Sequence, residues 1–255
     1  MAKYSSANAA FVLVDGYDVA SYLISVNQKP SESVLEDGTT LQSSWGVKFD
    51  VGIKDAEFSI EGFMDDSVDP TGPDVAGITE TALAGFTGTS RTACVGVSGN
   101  TIGKDFNGYQ VRQVDDEFMW ARGEMTKRKF TFKAAAQCDS GKIIHALSAD
   151  TGSSGNTQGG NAVDNAASSA NGGAGYLECT ALTLGGYTSV TLKIRHSTDN
   201  STYADLITFT NVTAAPAKER LTVAGTVNRY LASSYAFNGA GAGQSITWMA
   251  GFARG

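Results

Sequence analysis

Gly46-Val-Lys-Phe-Asp-Val-Gly-Ile-Lys-Asp-Ala-Glu-Phe-Ser-Ile-Glu61 has a period of two. Val47, Phe49, Val51 and Ile53 fall on one side of an extended chain and Lys48 and Asp50 on the other, the pattern of a strand with one buried face. Glu57–Glu61 repeats it, with Phe58 and Ile60 inward and both glutamates outward. Lys54-Asp55 sits where a turn would join the two runs, so the stretch predicts a β-hairpin.

The flanks keep the same character. Phe11-Val-Leu-Val14 runs into Asp15-Gly16, a strong turn dipeptide, and a short apolar stretch follows at Tyr22-Leu-Ile24. Residues Asn27–Ser44 are polar, with Pro30 and Asp37-Gly38, and are expected as a long loop or irregular hairpin. Residues Asp74–Phe86 carry Ile78, Ala82, Leu83 and Phe86 near helical spacing behind a possible Asp74 N-cap, which predicts a short helix packed on a sheet. Ala93–Val97, Tyr109–Val114, Phe118–Arg122 and Lys127–Ala135 are further expected strands.

Residues 151–175 contain no aromatic residue and only Val163 among the larger aliphatics. Such a segment buries little apolar surface to offset its ordering, so a linker or extended arm is expected there. Period-two alternation then resumes at Tyr176–Leu182 and runs through Val190–Arg195, Ile207 and Phe209, Leu221 and Val223, Tyr235 and Phe237, and Ile246 and Trp248. Two β units follow, residues 1–150 and 176–255, with 151–175 between them, and the chain is long enough for each to bury a core.

Composition narrows the function classes. Thirty glycines against four prolines suit short strands and tight turns. Cys94, Cys138 and Cys179 are odd in number and lack metal-ligand spacing, so buried free thiols in a reducing compartment are expected. The N-terminal stretch lacks the apolar core of a secretion signal, and no run approaches the ~20 apolar residues of a membrane-spanning helix. A soluble product made in the cytoplasm is the expectation. Net charge is −7, and it belongs to the first half: residues 1–150 hold 13 Lys/Arg and 21 Asp/Glu, residues 151–255 hold 6 and 5. An acidic surface repels phosphate, which disfavours gripping DNA and is compatible with a channel through which DNA slides.

The candidates for chemistry are thin. His145 and His196 are far apart, and only Asp199 is near His196 as a partner. Asp65, Asp66 and Asp69, and the run Asp115-Asp-Glu117, lack calcium-loop spacing and suit solvated turns. Gly239-Ala-Gly-Ala-Gly243 lacks the Lys-Ser/Thr ending of a phosphate loop and suits a turn before the last strand. Lys127-Arg-Lys129 suits a strand end. Asn200-Ser-Thr202 and Asn211-Val-Thr213 match a glycosylation pattern that means nothing without secretion. No nucleophile has a recognisable base, so no catalytic, cofactor-binding or metal-ligating residue can be named and a non-enzymatic protein is expected.

Five stretches of residues carry a resemblance. Gly52-Ile-Lys-Asp-Ala-Glu-Phe-Ser-Ile-Glu-Gly-Phe-Met-Asp-Asp66, preceded by Asp15-Gly-Tyr-Asp-Val19, resembles the N-terminal half of siphophage tail tube (major tail) proteins. Arg195–Tyr203, Leu221–Tyr230 and Gly251–Arg254 are similar in the second half. The resemblance implies a mainly β fold: a tail-tube-like two-sheet β domain over 1–150 with a short flanking helix, and a second β-sandwich or tube-like domain over 176–255. It implies a virion subunit, made and assembled in the host cytoplasm, that packs against copies of itself in stacked rings, with the segment around Gln28–Ser44 reaching the next ring. One tube domain per chain implies a hexameric ring with the second half outside; two imply a trimeric ring of pseudo-sixfold symmetry. The implied partners are other copies, a tape-measure protein, terminator and tip proteins, and DNA passing without specific binding; no cofactor is implied. Two alternatives stand beside it: a receptor- or carbohydrate-binding β module using Tyr187, Tyr203 and Trp248, and a head decoration or connector protein.

Overall fold

A computed structural model describes residues 11–37, 48–63, 90–124, 126–135 and 138–255. Among them the chain is mainly β, in two antiparallel sheets. The first half contributes β1 (Val12–Val14), β2 (Tyr17–Asp18), β3 (Leu23–Asp37), β4 (Lys48–Phe63), β5 (Ser90–Gly96), β6 (Asp105–Met119), β7 (Lys127–Ala134) and β8 (Asp139–Asp150). Then come β9 (Ser154–Asn156), β10 (Val163–Asp164), β11 (Gly173–Thr183), β12 (Ser189–Ser197), β13 (Ala204–Thr208), β14 (Ala217–Val223), β15 (Tyr230–Asn238) and β16 (Ser245–Arg254).

The larger sheet forks at β6. One edge of β6 pairs with β5, from Arg112↔Ser90 to Phe106↔Gly96. The other edge pairs first with β8, over Asp105–Gly108, and then with β7, over Val111–Met119. One branch runs from β7 to β4 and β3; the other runs from β8 to β16, β11 and β14.

This fork explains three successive apolar cores. In Phe11-Val-Leu-Val14 both faces are buried: Val12 and Val14 enter one core with Phe58, Ile60, Tyr109, Val111, Phe130 and Phe132, whereas Phe11 and Leu13 enter a second with Phe106, Ile143, Tyr176 and Met249. A strand walled on both sides carries a continuous apolar run instead of alternation. β11 is shared in the same way, sending Ala174 and Tyr176 to the second core and Leu177 and Cys179 to a third. That third core lies against the smaller sheet, ordered β10-β15-β12-β13, through Leu192, Ile194, Phe209 and Phe237. Each fully buried Phe, Ile or Leu contributes about 2 kcal/mol by leaving water.

Several expectations change. The expected hairpin at Gly46–Glu61 is instead one continuous strand over Lys48–Phe63, because Lys54 and Asp55 pair onward with Ser33 and Glu32 of β3 and supply no left-handed turn residue. The expected loop over Asn27–Ser44 is strand as far as Asp37; Pro30 is tolerated because β3 pairs on one side only among the described residues. Tyr109–Val114 and the start of the expected strand Phe118–Arg122 belong to one strand, β6, with a bulge between Gln113 and Asp115; Trp120–Arg122 lie past its end, in the connection to β7. The helix expected at Asp74–Phe86 lies outside the described residues.

The segment 151–175, expected as a linker, is an ordered strap on the smaller sheet. Residues 154–156 pair with Ser234–Ala236, and Val163 and Asp164 pair with Leu231 and Tyr230. Its ordering comes from polar bonds more than apolar burial. Asp164 takes both guanidinium donors of Arg229 at 2.6 Å, Thr157 shares hydrogen bonds with Ser233, and Gly155 lets Tyr235 lie flat against the backbone. The strap's backbone groups find partners, which is what makes a Gly/Ser/Asn-rich stretch structured.

Candidate functional site

The ribbon β3-β4-β7-β6 walls one core and runs on to the β6–β7 end. On one face its cross-strand rows are charged: Glu57 faces Lys133, which faces Arg112, and Glu61 faces Lys129, which faces Glu117. The three opposite-charge pairs, Glu57–Lys133, Glu61–Lys129 and Lys129–Glu117, favour this register by about 0.2–1 kcal/mol each, while the like-charged Lys133–Arg112 pair opposes it. The described ribbon therefore presents mixed charge, although the first half as a whole is acidic.

The other face is apolar and leads out of the core to the β6–β7 end. There Arg128, 4 % exposed, is held by Asp116 through two hydrogen bonds of 2.8 and 2.6 Å. Its guanidinium lies 4.4 Å from the ring centre of Phe118 and 4.8 Å from that of Phe130. The bidentate pair and the two rings make burial of this cation tolerable. Beyond it Phe118 and Trp120 are 42 % and 78 % exposed, and Ile24 on β3 is exposed at the same end of the ribbon. Large apolar side chains gathered at one exposed end mark a surface made to be covered.

A second polar cluster joins the halves of the chain. Asp15 (φ 55°) and Gly16 (φ 83°) form the tight turn between β1 and β2, and the turn presses on the β11–β14 pair. A Cβ on Gly16 would lie 2.9 Å from Ala217 N, Cys179 O and Pro216 Cβ, so only glycine fits. Glu178 Oε2 accepts the Gly16 N–H at 2.5 Å from a fully buried position on β11. Asp15 Oδ1 accepts from the Thr92 N–H at 3.0 Å, and Oδ2 accepts from Arg91 at 2.8 Å. Lys218 on β14 is the direct cross-strand partner of Glu178 on β11, and its Nζ is in contact with Asp15 Oδ1. Burial pushes the Glu178 carboxyl well above its ordinary range and Asp15 adds to this, against the Gly16 N–H and Lys218.

The residues singled out from sequence are mostly structural. His196 accepts the Asn228 N–H at 3.2 Å, while Asp199 caps its own turn through Ser201 and Thr202, which with Ser197 pushes its carboxyl down to about 2. His145 instead meets Asp150, 3.1 Å away at the end of the same strand, and stacks on Trp248 at 3.9 Å. Sequence gave no sign of that pair, because strand β8 was not foreseen. Asp115 and Glu117 stand on the charged face and Asp116 holds Arg128; Asp65, Asp66 and Asp69 lie outside the described residues. Among the described residues no cluster of metal-ligating side chains occurs. Gly239–Gly243 lies between β15 and β16, as a turn. Of the aromatics considered for a carbohydrate surface, Trp248 is fully buried, Tyr203 nearly so, and Tyr187 packs partly on the third core. Cys94 and Cys179 are buried free thiols and Cys138 is half-buried.

No protein-family model matches the chain, and no curated protein does. Among solved structures, it is similar to a chain in the virion of a native gene transfer agent particle, with 10% identity over 54% of this chain and 98% of that one and a TM-score of 0.37. It is similar to a chain in the tail of an empty gene transfer agent particle of C6 symmetry, with 12% identity over 53% and 97% and a TM-score of 0.35. A third is the SPP1 Dit protein, described as a hub adsorption apparatus of phages infecting Gram-positive hosts, with 9% identity over 94% and 97% and a TM-score of 0.34.

Proposed function

We propose that this chain is a structural subunit of a phage virion that assembles with its own copies into stacked rings forming the tail tube. The observation that carries the reading is the ribbon β3-β4-β7-β6. It is long, its outer strand β3 pairs only with β4 among the described residues, and it ends in exposed Phe118 and Trp120. An unpaired edge and an apolar end are hazards in a lone monomer and become contacts in a closed ring. The motif Gly52–Phe63, which carries part of the sequence resemblance, is the body of β4 within that ribbon.

The reading makes the protein a scaffold with no catalytic role, and its partners the tape-measure protein, the terminator and tip proteins, and passing DNA. A hexameric ring follows if the first half alone forms the wall, a trimeric ring if both halves do. Its test is sedimentation of the purified chain at rising concentration, alone and with Trp120→Ser. The expected result is a concentration-dependent shift to ring-sized species that the substitution weakens. A single monomer boundary at every concentration, for both chains, would remove the reading's support.

A further inference from the structure

The geometry points to an intramolecular isopeptide bond between Lys218 and Asp15, formed with Glu178 as the proton relay. The three side chains come from three separate elements: the β1–β2 turn, β11 and β14. Lys218 Nζ already touches Asp15 Oδ1, and Glu178 is the direct cross-strand partner of Lys218 while also holding the Gly16 N–H of the turn. The turn that carries Asp15 is pinned from the other side by Arg91 and by the Thr92 N–H.

The chemistry needs nothing outside the chain. The Lys218 amine attacks Asp15 Cγ, the Nζ–Cγ bond forms, one Cγ–O bond breaks, and the oxygen leaves as water. An ammonium and a carboxylate enter, and a neutral amide and one water leave, so protons and charge balance without oxidant or cofactor. Attack requires the amine to lose protons and the departing oxygen to gain them, and a carboxyl beside both groups can carry them across. Glu178 is suited to this because burial favours its protonated form. Thr92 N–H and the Arg91 guanidinium donate to the two carboxyl oxygens and so stand where negative charge develops as Nζ adds to Cγ. Because the fold fixes amine and carboxyl in contact, a step that is negligible between free side chains becomes a matter of positioning.

An alternative use of the cluster, as a non-covalent ion pair, predicts no change of mass. The experiment is intact mass spectrometry of the full, denatured chain, followed by protease mapping. The expected result is a chain one water lighter than its sequence, with a branched peptide joining Asp15 and Lys218. K218A should restore the full mass. E178Q keeps an acceptor for the Gly16 N–H and should fold, shown by an unchanged circular dichroism spectrum, yet remain at full mass. A folded wild-type chain at full sequence mass, with Asp15 and Lys218 in separate linear peptides, would overturn the proposal. So would water loss that persists in K218A or proceeds undiminished in E178Q.

Discussion

At the scale of single residues, two positions carry the joint between the halves. Gly16 combines a left-handed φ with atoms 2.9 Å from where a Cβ would stand, so Gly16→Ala is expected to destabilise by about 2 kcal/mol or more, read from the urea midpoint. Glu178 gives a pH signature. Its folded-state pKa lies well above the unfolded value of about 4.3, so its contribution is complete below that value and lost as pH rises through the folded pKa. Stability of the wild type should therefore fall on the alkaline side, and Glu178→Gln should flatten that fall; equal slopes for the two chains would refute the assignment. At the ribbon's end, Asp116→Ala strands Arg128 against two rings with no counter-charge and should cost about 3 kcal/mol.

At the scale of elements, alternation told which residues lie inside but not how the runs connect. Phe58 and Ile60 point inward as their spacing predicts. That Lys48–Phe63 is one strand was hidden because Lys54-Asp55 is polar and reads as a turn, whereas it is a pleat position facing β3. β8 was missed for the opposite reason. Ile143 and Ile144 are adjacent and both buried, one in each of two cores, and a strand walled on both sides has no period of two to detect. The strap over 151–175 was read as linker because the search was for apolar surface, and its ordering rests on Asp164, Thr157 and backbone pairing. Of the candidate site, the Asp15-Gly16 turn was legible; its meeting with Glu178 and Lys218 was not, since nothing local connects residues 162 and 203 positions away. The ribbon makes its own prediction. Trp120→Ser should leave monomer stability within about 0.5 kcal/mol, because the side chain touches solvent, while reducing self-association.

At the scale of the whole molecule, three cores share walls, so the halves are not beads on a string: β16 and β11, from the second half, continue the sheet that β8 ends in the first. A covalent Asp15–Lys218 bond would close a loop spanning 203 positions and, by the chain-entropy argument for cross-links, add about 5 kcal/mol against unfolding. Such a fastening would suit the mechanical role proposed for this chain. The most direct test of that role is negative-stain microscopy of the purified, concentrated chain. The account predicts hollow rings or tubes with a bore along the axis, of sixfold or threefold symmetry; fields of dispersed monomers at every concentration and salt would contradict it.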